Sequence, residues 1–190
     1  SVETLGSASV ICTDKTGTLT RNEMTIVRVV TPSIEVEITG SGFEPVGRML
    51  VGGEPTDDPA IVDSVRRVLS AGSLANDASF RADEHGRWEI LGDPTEIAFL
   101  VAEEKLDLSA HRVGRFSRVD EVPFDSERKR MTAVLRDHRA SSGDDVIAIT
   151  KGAPDVLLGR CTRIRVGDRV EELTDEWRES LGDDIERLAD

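Results

Sequence analysis

Two periodicities run along this chain. Ile34, Val36 and Ile38 alternate with Glu35 and Glu37, the period-two pattern of a half-exposed strand, and residues 25–30 form a β-rich run just before it. Helical spacing follows. Ile61, Val65, Val68 and Gly72 fall on one face behind Asp57-Asp58-Pro59, where an acidic cap and a proline in the first turn open a helix. Asp93-Pro94-Thr95-Glu96 repeats that opening for a second helix running to about Glu104. Trp177, Leu181, Ile185 and Leu188 form the stripe of a last amphipathic helix. Further strands are predicted around 88–91 and over 119–124, 131–136 and 146–150, with a short helix from Ala153-Pro154 to near Gly159. An apolar run also leads through Val10-Ile11-Cys12 and stops at Asp14. Glycines and prolines between residues 40 and 55 mark a turn-rich stretch. Strands joined by short links, with helices inserted, predict an α+β domain on a mostly antiparallel sheet flanked by helices. A boundary near residues 22–25 divides a short segment, 1–23, from that domain, 24–190.

Composition narrows the function. The net charge of −13 over 190 residues excludes general nucleic-acid binding, which needs a basic face. No apolar run is long enough to span a membrane, so this segment itself makes no membrane contact. The chain starts without Met and without a signal-peptide pattern, as expected of a piece of a longer protein. Two distant cysteines, Cys12 in the apolar run and Cys161, read as reduced, buried thiols. His85, His111 and His138 are scattered, without metal-ligand spacing. Only four cations are lysine (Lys15, Lys105, Lys129, Lys151), against twenty arginines. Positions that keep a compact ammonium in such a chain are candidates for phosphate or nucleotide contact.

The densest chemistry is Asp14-Lys15-Thr16-Gly17-Thr18-Leu19-Thr20. A strand end can hold the Asp14 carboxylate rigidly towards a phosphoryl group, which needs position and charge neutralisation more than unusual basicity. Lys15 supplies charge, Thr16 and Thr18 supply hydroxyls, and Gly17 lets backbone N–H groups approach a phosphate. A divalent cation, Mg²⁺, would screen carboxylate against phosphate, with Asp14 and Thr16 as its partial site. A polar turn after a strand explains a generic motif of this type equally well.

The full heptapeptide resembles the phosphorylation motif of P-type ATPases, pumps that pass through an aspartyl-phosphate. Residues 1–6 and Asn22-Glu23-Met24 resemble its flanks. The resemblance implies that 1–23 begins a haloacid-dehalogenase-like, Rossmann-like phosphorylation domain, present only as its first strand. In the related soluble phosphatases a second aspartate follows the nucleophile by two positions; here Thr16 stands there, which favours a long-lived phosphoenzyme over rapid hydrolysis. A soluble phosphatase and a non-catalytic nucleotide-binding module remain the alternatives.

Later segments resemble the nucleotide-binding domain of the same pumps, in order. Gly42-Phe43-Glu44-Pro45-Val46-Gly47 resembles a glycine-proline turn, and Leu74-Ala75-Asn76-Asp77-Ala78 a helix-end segment that reads as structural. At Gly92-Asp93-Pro94-Thr95-Glu96 a capping box alone explains the sequence; the resemblance adds that Glu96 accepts a hydrogen bond from the adenine amino group. In Pro123-Phe124-Asp125-Ser126-Glu127-Arg128-Lys129-Arg130-Met131 an apolar strand end precedes a charged turn. The resemblance assigns Phe124 to stacking on adenine and Lys129 to the nucleotide; Ser126 stands where some relatives have Arg. Met131 reads as core first and as a residue lining the site second. At Lys151-Gly152-Ala153-Pro154 it places Lys151 at the base of the adenine pocket, with Gly152 and Ala153 beside it. The whole implies an ATP-binding segment of a cation-transporting, calcium-pump-like ATPase, on the cytoplasmic face of a membrane protein. Its partners would be ATP, Mg²⁺ and the remaining phosphorylation, actuator and transmembrane domains. The segment by itself is expected to bind ATP without turnover and to lack the last strand or strands of its sheet.

Overall fold

The computed structural model describes residues 10, 12–13, 18, 20, 23–82, 84, 88–140 and 145–189. Strands β1 (Arg28–Thr31), β2 (Ile34–Ile38), β3 (Met49–Val51) and β4 (Glu54–Pro55) form an antiparallel meander. The alternation read at residues 34–38 has its physical result here: Val36 and Ile38 are buried with Val29 and Met49, and Glu37 faces water.

Helix α1 (Pro59–Leu74) covers that face with Val65 and Leu69, and helix α2 (Pro94–Lys105) adds Ala102. Both helices begin as their sequences require. The Asp58 carboxylate accepts from the N–H groups of Ala60 and Ile61 at 2.8 and 3.3 Å, and that of Asp93 from Thr95 at 2.8 Å, each with proline next in line. The helices meet at Gly72, where an added Cβ would lie 2.1 Å from Cδ1 of Phe99. The fully buried Glu103 accepts from Ser70 Oγ at 2.7 Å and Arg112 Nε at 2.5 Å, which ties α1, α2 and the following turn together.

Strands β5 (Ser79–Ala82) and β6 (Trp88–Leu91) pair as a hairpin. Strands β7 (Phe116–Asp125), β8 (Arg130–Asp137) and β9 (Asp145–Gly152) form a second antiparallel sheet with β8 central. Along β8, Met131, Ala133 and Leu135 are buried, and Ala133 and Leu135 pack with Ala75 in a second core just past α1. The register sets Lys151, Ile149 and Ile147 opposite these three, on the same inner face. Helix α3 (Pro154–Leu158), the hairpin of β10 (Arg163–Val166) and β11 (Arg169–Glu172), and helix α4 (Asp175–Ala189) complete the order.

The fold is α+β and antiparallel, as the patterns predict, but its described strands divide into four sheets, not one. Strands β3, β4, β5, β10 and β11 go beyond the predicted set; each is two to four residues long, too short to show a period against flanking turns and charges. The expected buried thiols need correction: Cys12 and Cys161 are both exposed. Val10, Cys12 and Thr13 belong to no strand, so no ladder covers Cys12, and Cys161 sits in the turn after α3. The strand leading into Asp14 otherwise falls outside the described residues. Along the stripe of α4, Trp177, Leu181 and Ile185 are half-buried and Leu188 is exposed, and no residue of that helix is fully enclosed. Among the described residues, no helix is long and apolar enough to cross a membrane.

Candidate functional site

Where the inner face of the second sheet meets the start of α2, a cleft of about 740 Å³ opens. That lies within the roughly 300–1,000 Å³ of ligand pockets. Its walls come from the end of β7, the β7–β8 turn, the ends of β8 and β9, the first turns of α2 and the segment after α1.

Two departures from plain alternation aim β7 at this cleft. Its register with β8 shifts between Arg118 and Asp120 and again between Val122 and Asp125. Such bulges re-aim side chains. Here they put Glu121 opposite the buried Ala133 and bring the Phe124 ring into the cleft wall, 64% exposed. An aromatic ring this open at a concave surface offers a free face for stacking.

The β7–β8 turn is built by Asp125, whose carboxylate accepts from the N–H groups of Glu127 and Arg128 at 3.0 and 2.8 Å. It closes through Lys129 N–H to the Asp125 carbonyl at 2.7 Å, with Lys129 in the left-handed region at φ 53°. The Lys129 carbonyl then accepts from Ala153 N–H at 2.9 Å, which pins the turn to the end of β9. Gly152 permits that approach: a Cβ there would lie 2.4 Å from the Lys129 carbonyl oxygen.

The floor is Met131, 1% exposed, beside its register partner Lys151. The Lys151 ammonium lies 3.0 Å from Oε1 of Glu96 and 5.4 Å from the centroid of the Phe99 ring. The other oxygen of Glu96 accepts from Asp77 N–H at 3.0 Å. The capping-box expectation is thus half met: Asp93 caps α2, while the Glu96 carboxylate leaves the helix start to join two other elements.

Glu96, Phe124, Lys129, Met131, Lys151, Gly152 and Ala153 therefore converge on one cleft, although up to 57 residues of chain separate them. Asp14, Lys15 and Thr16 lie outside the described residues. Asp77, Thr95 and Phe99 also line the cleft, without having been assigned a ligand role from sequence. Phe99 carried a usable signal, since it lies three residues after Glu96 on the same helical face. Asp77 carried none, because only the fold brings the end of α1 against α2. No group of three or more His, Cys, Asp or Glu residues able to hold a metal occurs among the described residues.

A second cavity, about 550 Å³, lies between the β1–β2 turn, the start of α1 and the β10–β11 turn. It has no aromatic wall, and its Arg67 is already paired with Asp63 at 2.5 Å and Asp168 at 3.4 Å. That leaves no uncompensated cation for a nucleotide.

The family model "P-type ATPase, cytoplasmic domain N" matches residues 64–190. A probable cation-transporting ATPase F of Mycobacterium tuberculosis is 40% identical over 164 residues, which cover 84% of this chain and 17% of that protein. The calcium-transporting ATPase of Bacillus subtilis is 38% identical over 164 residues, 86% of this chain and 18% of its own length. The calcium-transporting ATPase type 2C member 1 of Mus musculus is 36% identical over 192 residues, covering 99% of this chain and 20% of that protein. The chain thus spans about a fifth or less of the curated relatives it matches.

Proposed function

The chain belongs to the P-type ATPase cytoplasmic domain N family, and from that premise we propose that residues 24–190 bind ATP in the cleft described above. The observation that carries the reading is the joint placement of an open aromatic ring, Phe124, and two lysines, Lys129 and Lys151, around the fixed carboxylate of Glu96. Phe124 stacks on adenine. Glu96 accepts from the exocyclic amino group, and Lys151 and Asp77 N–H hold it in place to do so. Lys129, which makes no ion pair among the described residues, is free to meet a phosphate. Met131, Gly152 and Ala153 shape the floor. Two ammonium groups offset most of the charge of the cleft's three carboxylates, so the site repels a polyphosphate less than the rest of a chain of net charge −13 does.

Residues 1–23 read as the start of the phosphorylation domain. In a whole pump the γ-phosphoryl group of ATP would pass there to the Asp14 carboxylate, the bond to the β-phosphate oxygen breaking and ADP leaving. Lys15 and Thr16 neutralise and orient the transferred group. Asp14 and Thr16 would hold Mg²⁺, which screens carboxylate against phosphate when bound. In a whole pump this reaction would drive cation movement, with calcium the ion named for several relatives. This chain alone binds ATP and does not turn it over. Calorimetric titration of ATP into the unaltered chain, Phe124→Ala and Lys151→Met tests the binding. Detectable affinity that both changes weaken supports it; no affinity in the unaltered chain, or none lost in either variant, overturns it.

A further inference from the structure

Arg118 stands in β7 outside the cleft lining, yet its guanidinium reaches the segment after α1. Nη2 donates to the carbonyls of Leu74 at 3.2 Å and Asn76 at 2.7 Å. Nη1 donates to the Asp77 carboxylate and to Oε2 of Glu121 at 2.5 Å. The same short segment holds Glu96 twice: Asp77 N–H donates to Oε2 at 3.0 Å, and Asn76 Nδ2 donates to the Glu96 carbonyl at 2.7 Å. The first register shift in β7 makes this reach possible, because it leaves Arg118 opposite the buried Leu135 on the inner face.

Charge adds a second role. The cleft is lined by three carboxylates (Asp77, Asp93, Glu96) and two ammonium groups (Lys129, Lys151). Arg118 adds a cation behind the cleft wall by pairing with Asp77, and it shares that charge with Glu121.

We propose that Arg118 is a positioning residue that fixes Glu96 through segment 74–77 and thereby sets the preference of the cleft for adenine over guanine. This rests on the ATP reading above. Adenine carries an amino donor where guanine carries a carbonyl oxygen. A carboxylate held still accepts from the first and repels the second, whereas a loosened one discriminates less. A planar fork that grips two carbonyls and two carboxylates at once is a task for arginine and not for lysine.

The test is displacement of a fluorescent ATP analogue from the full 190-residue chain by ATP and by GTP. Arg118→Ala, Arg118→Lys, Glu96→Gln and the Arg118→Ala/Glu96→Gln double variant are compared with the unaltered chain, with thermal melts alongside. Arg118→Ala is expected to weaken ATP about tenfold, an ordinary coupling for residues in one hydrogen-bond network. GTP should change much less, so the ATP/GTP ratio falls. Arg118→Lys should recover only part of the ratio, and on the Glu96→Gln background Arg118→Ala should leave it unmoved. A purely structural role would instead weaken both nucleotides alike and add to the Glu96 effect; either result overturns the proposal. If Arg118→Ala does not fold, the Arg118→Lys ratio decides, and an unchanged ratio overturns it. An unaltered chain that binds neither nucleotide removes the ATP reading and this proposal together. Binding lost in Lys151→Met but unmoved by either Arg118 change removes only this proposal.

Discussion

At the Lys151 ammonium, 3.0 Å from Glu96 and 5.4 Å from the Phe99 ring centroid, one cation holds a carboxylate and caps an aromatic face. Removing such a group leaves Glu96 with one partner fewer, so Lys151→Met should lower ATP affinity through both lost charge and lost order. Phe124→Ala removes the exposed ring; base stacking of this kind is worth ~1–3 kcal/mol, so affinity should drop roughly 5–150-fold with the fold intact. A melt unchanged by Phe124→Ala, with weaker binding by titration, checks both halves of that statement. A different residue controls acid stability. Asp137 at the end of β8 receives both Nε and Nη2 of Arg115, at 2.9 and 2.6 Å, and that guanidinium holds its carboxyl down to about 2 from an ordinary 3.8. A carboxyl depressed by folding stabilises fully above its unfolded value and loses that contribution as pH falls through the folded one. The unaltered chain should therefore lose stability between pH 3.8 and about 2, and Asp137→Asn should flatten that part of the curve in acid melts. The Lys151 position was legible because lysines are rare in this chain, and Phe124 through the resemblance of its segment to the pumps' nucleotide-binding domain. The Asp137–Arg115 pair was not, since arginines and acids are everywhere in it and only the fold selects partners.

Among the elements, α1 and α2 matter most, because they join the two cores and carry one wall of the cleft. Both starts were readable from Asp-Pro steps, since an acidic cap and a proline that needs no N–H partner act locally. Their contact was less readable. Gly72 lies on the apolar face that the helical spacing marks, but its need for no side chain comes from Phe99 across the interface. Gly72→Ala tests which effect wins. Helix propensity favours alanine by about 1 kcal/mol, whereas a Cβ 2.1 Å from the Phe99 ring is overpacking that typically costs about 1–3 kcal/mol. The clash should prevail, with a lower melting temperature and, because Phe99 also lines the cleft, weaker ATP binding. A more stable variant with unchanged affinity would show that the ring moves aside without reaching the site. The bulges in β7 were invisible in sequence. Residues 119–124 read as one plain strand, yet it takes two register shifts to present Arg118, Glu121 and Phe124 all to the inner face.

For the whole molecule, the proposed division puts phosphoryl-transfer residues in 1–23 and nucleotide contacts in 24–190. It follows that a chain starting at Met24 should fold and bind ATP as tightly as the full one, which parallel melts and titrations would check. Steady ATP hydrolysis by the full chain, abolished by Asp14→Asn, would contradict the expectation of binding without turnover. The fold class was readable from periodicity because elements such as β2, β8 and α1 bury one face. The split into four sheets was not, because it depends on which strands fail to pair. The central claim is that ATP occupies the Phe124–Lys151 cleft and not the Arg67 cavity. Amide chemical-shift mapping by NMR during an ATP titration tests this most directly. The expected result is a saturable set of shifts at Glu96, Phe99, Lys129, Lys151 and Gly152, with Ser33, Ser64 and Asp168 unmoved. No shifts at millimolar ATP, or shifts gathered around Arg67, would contradict it.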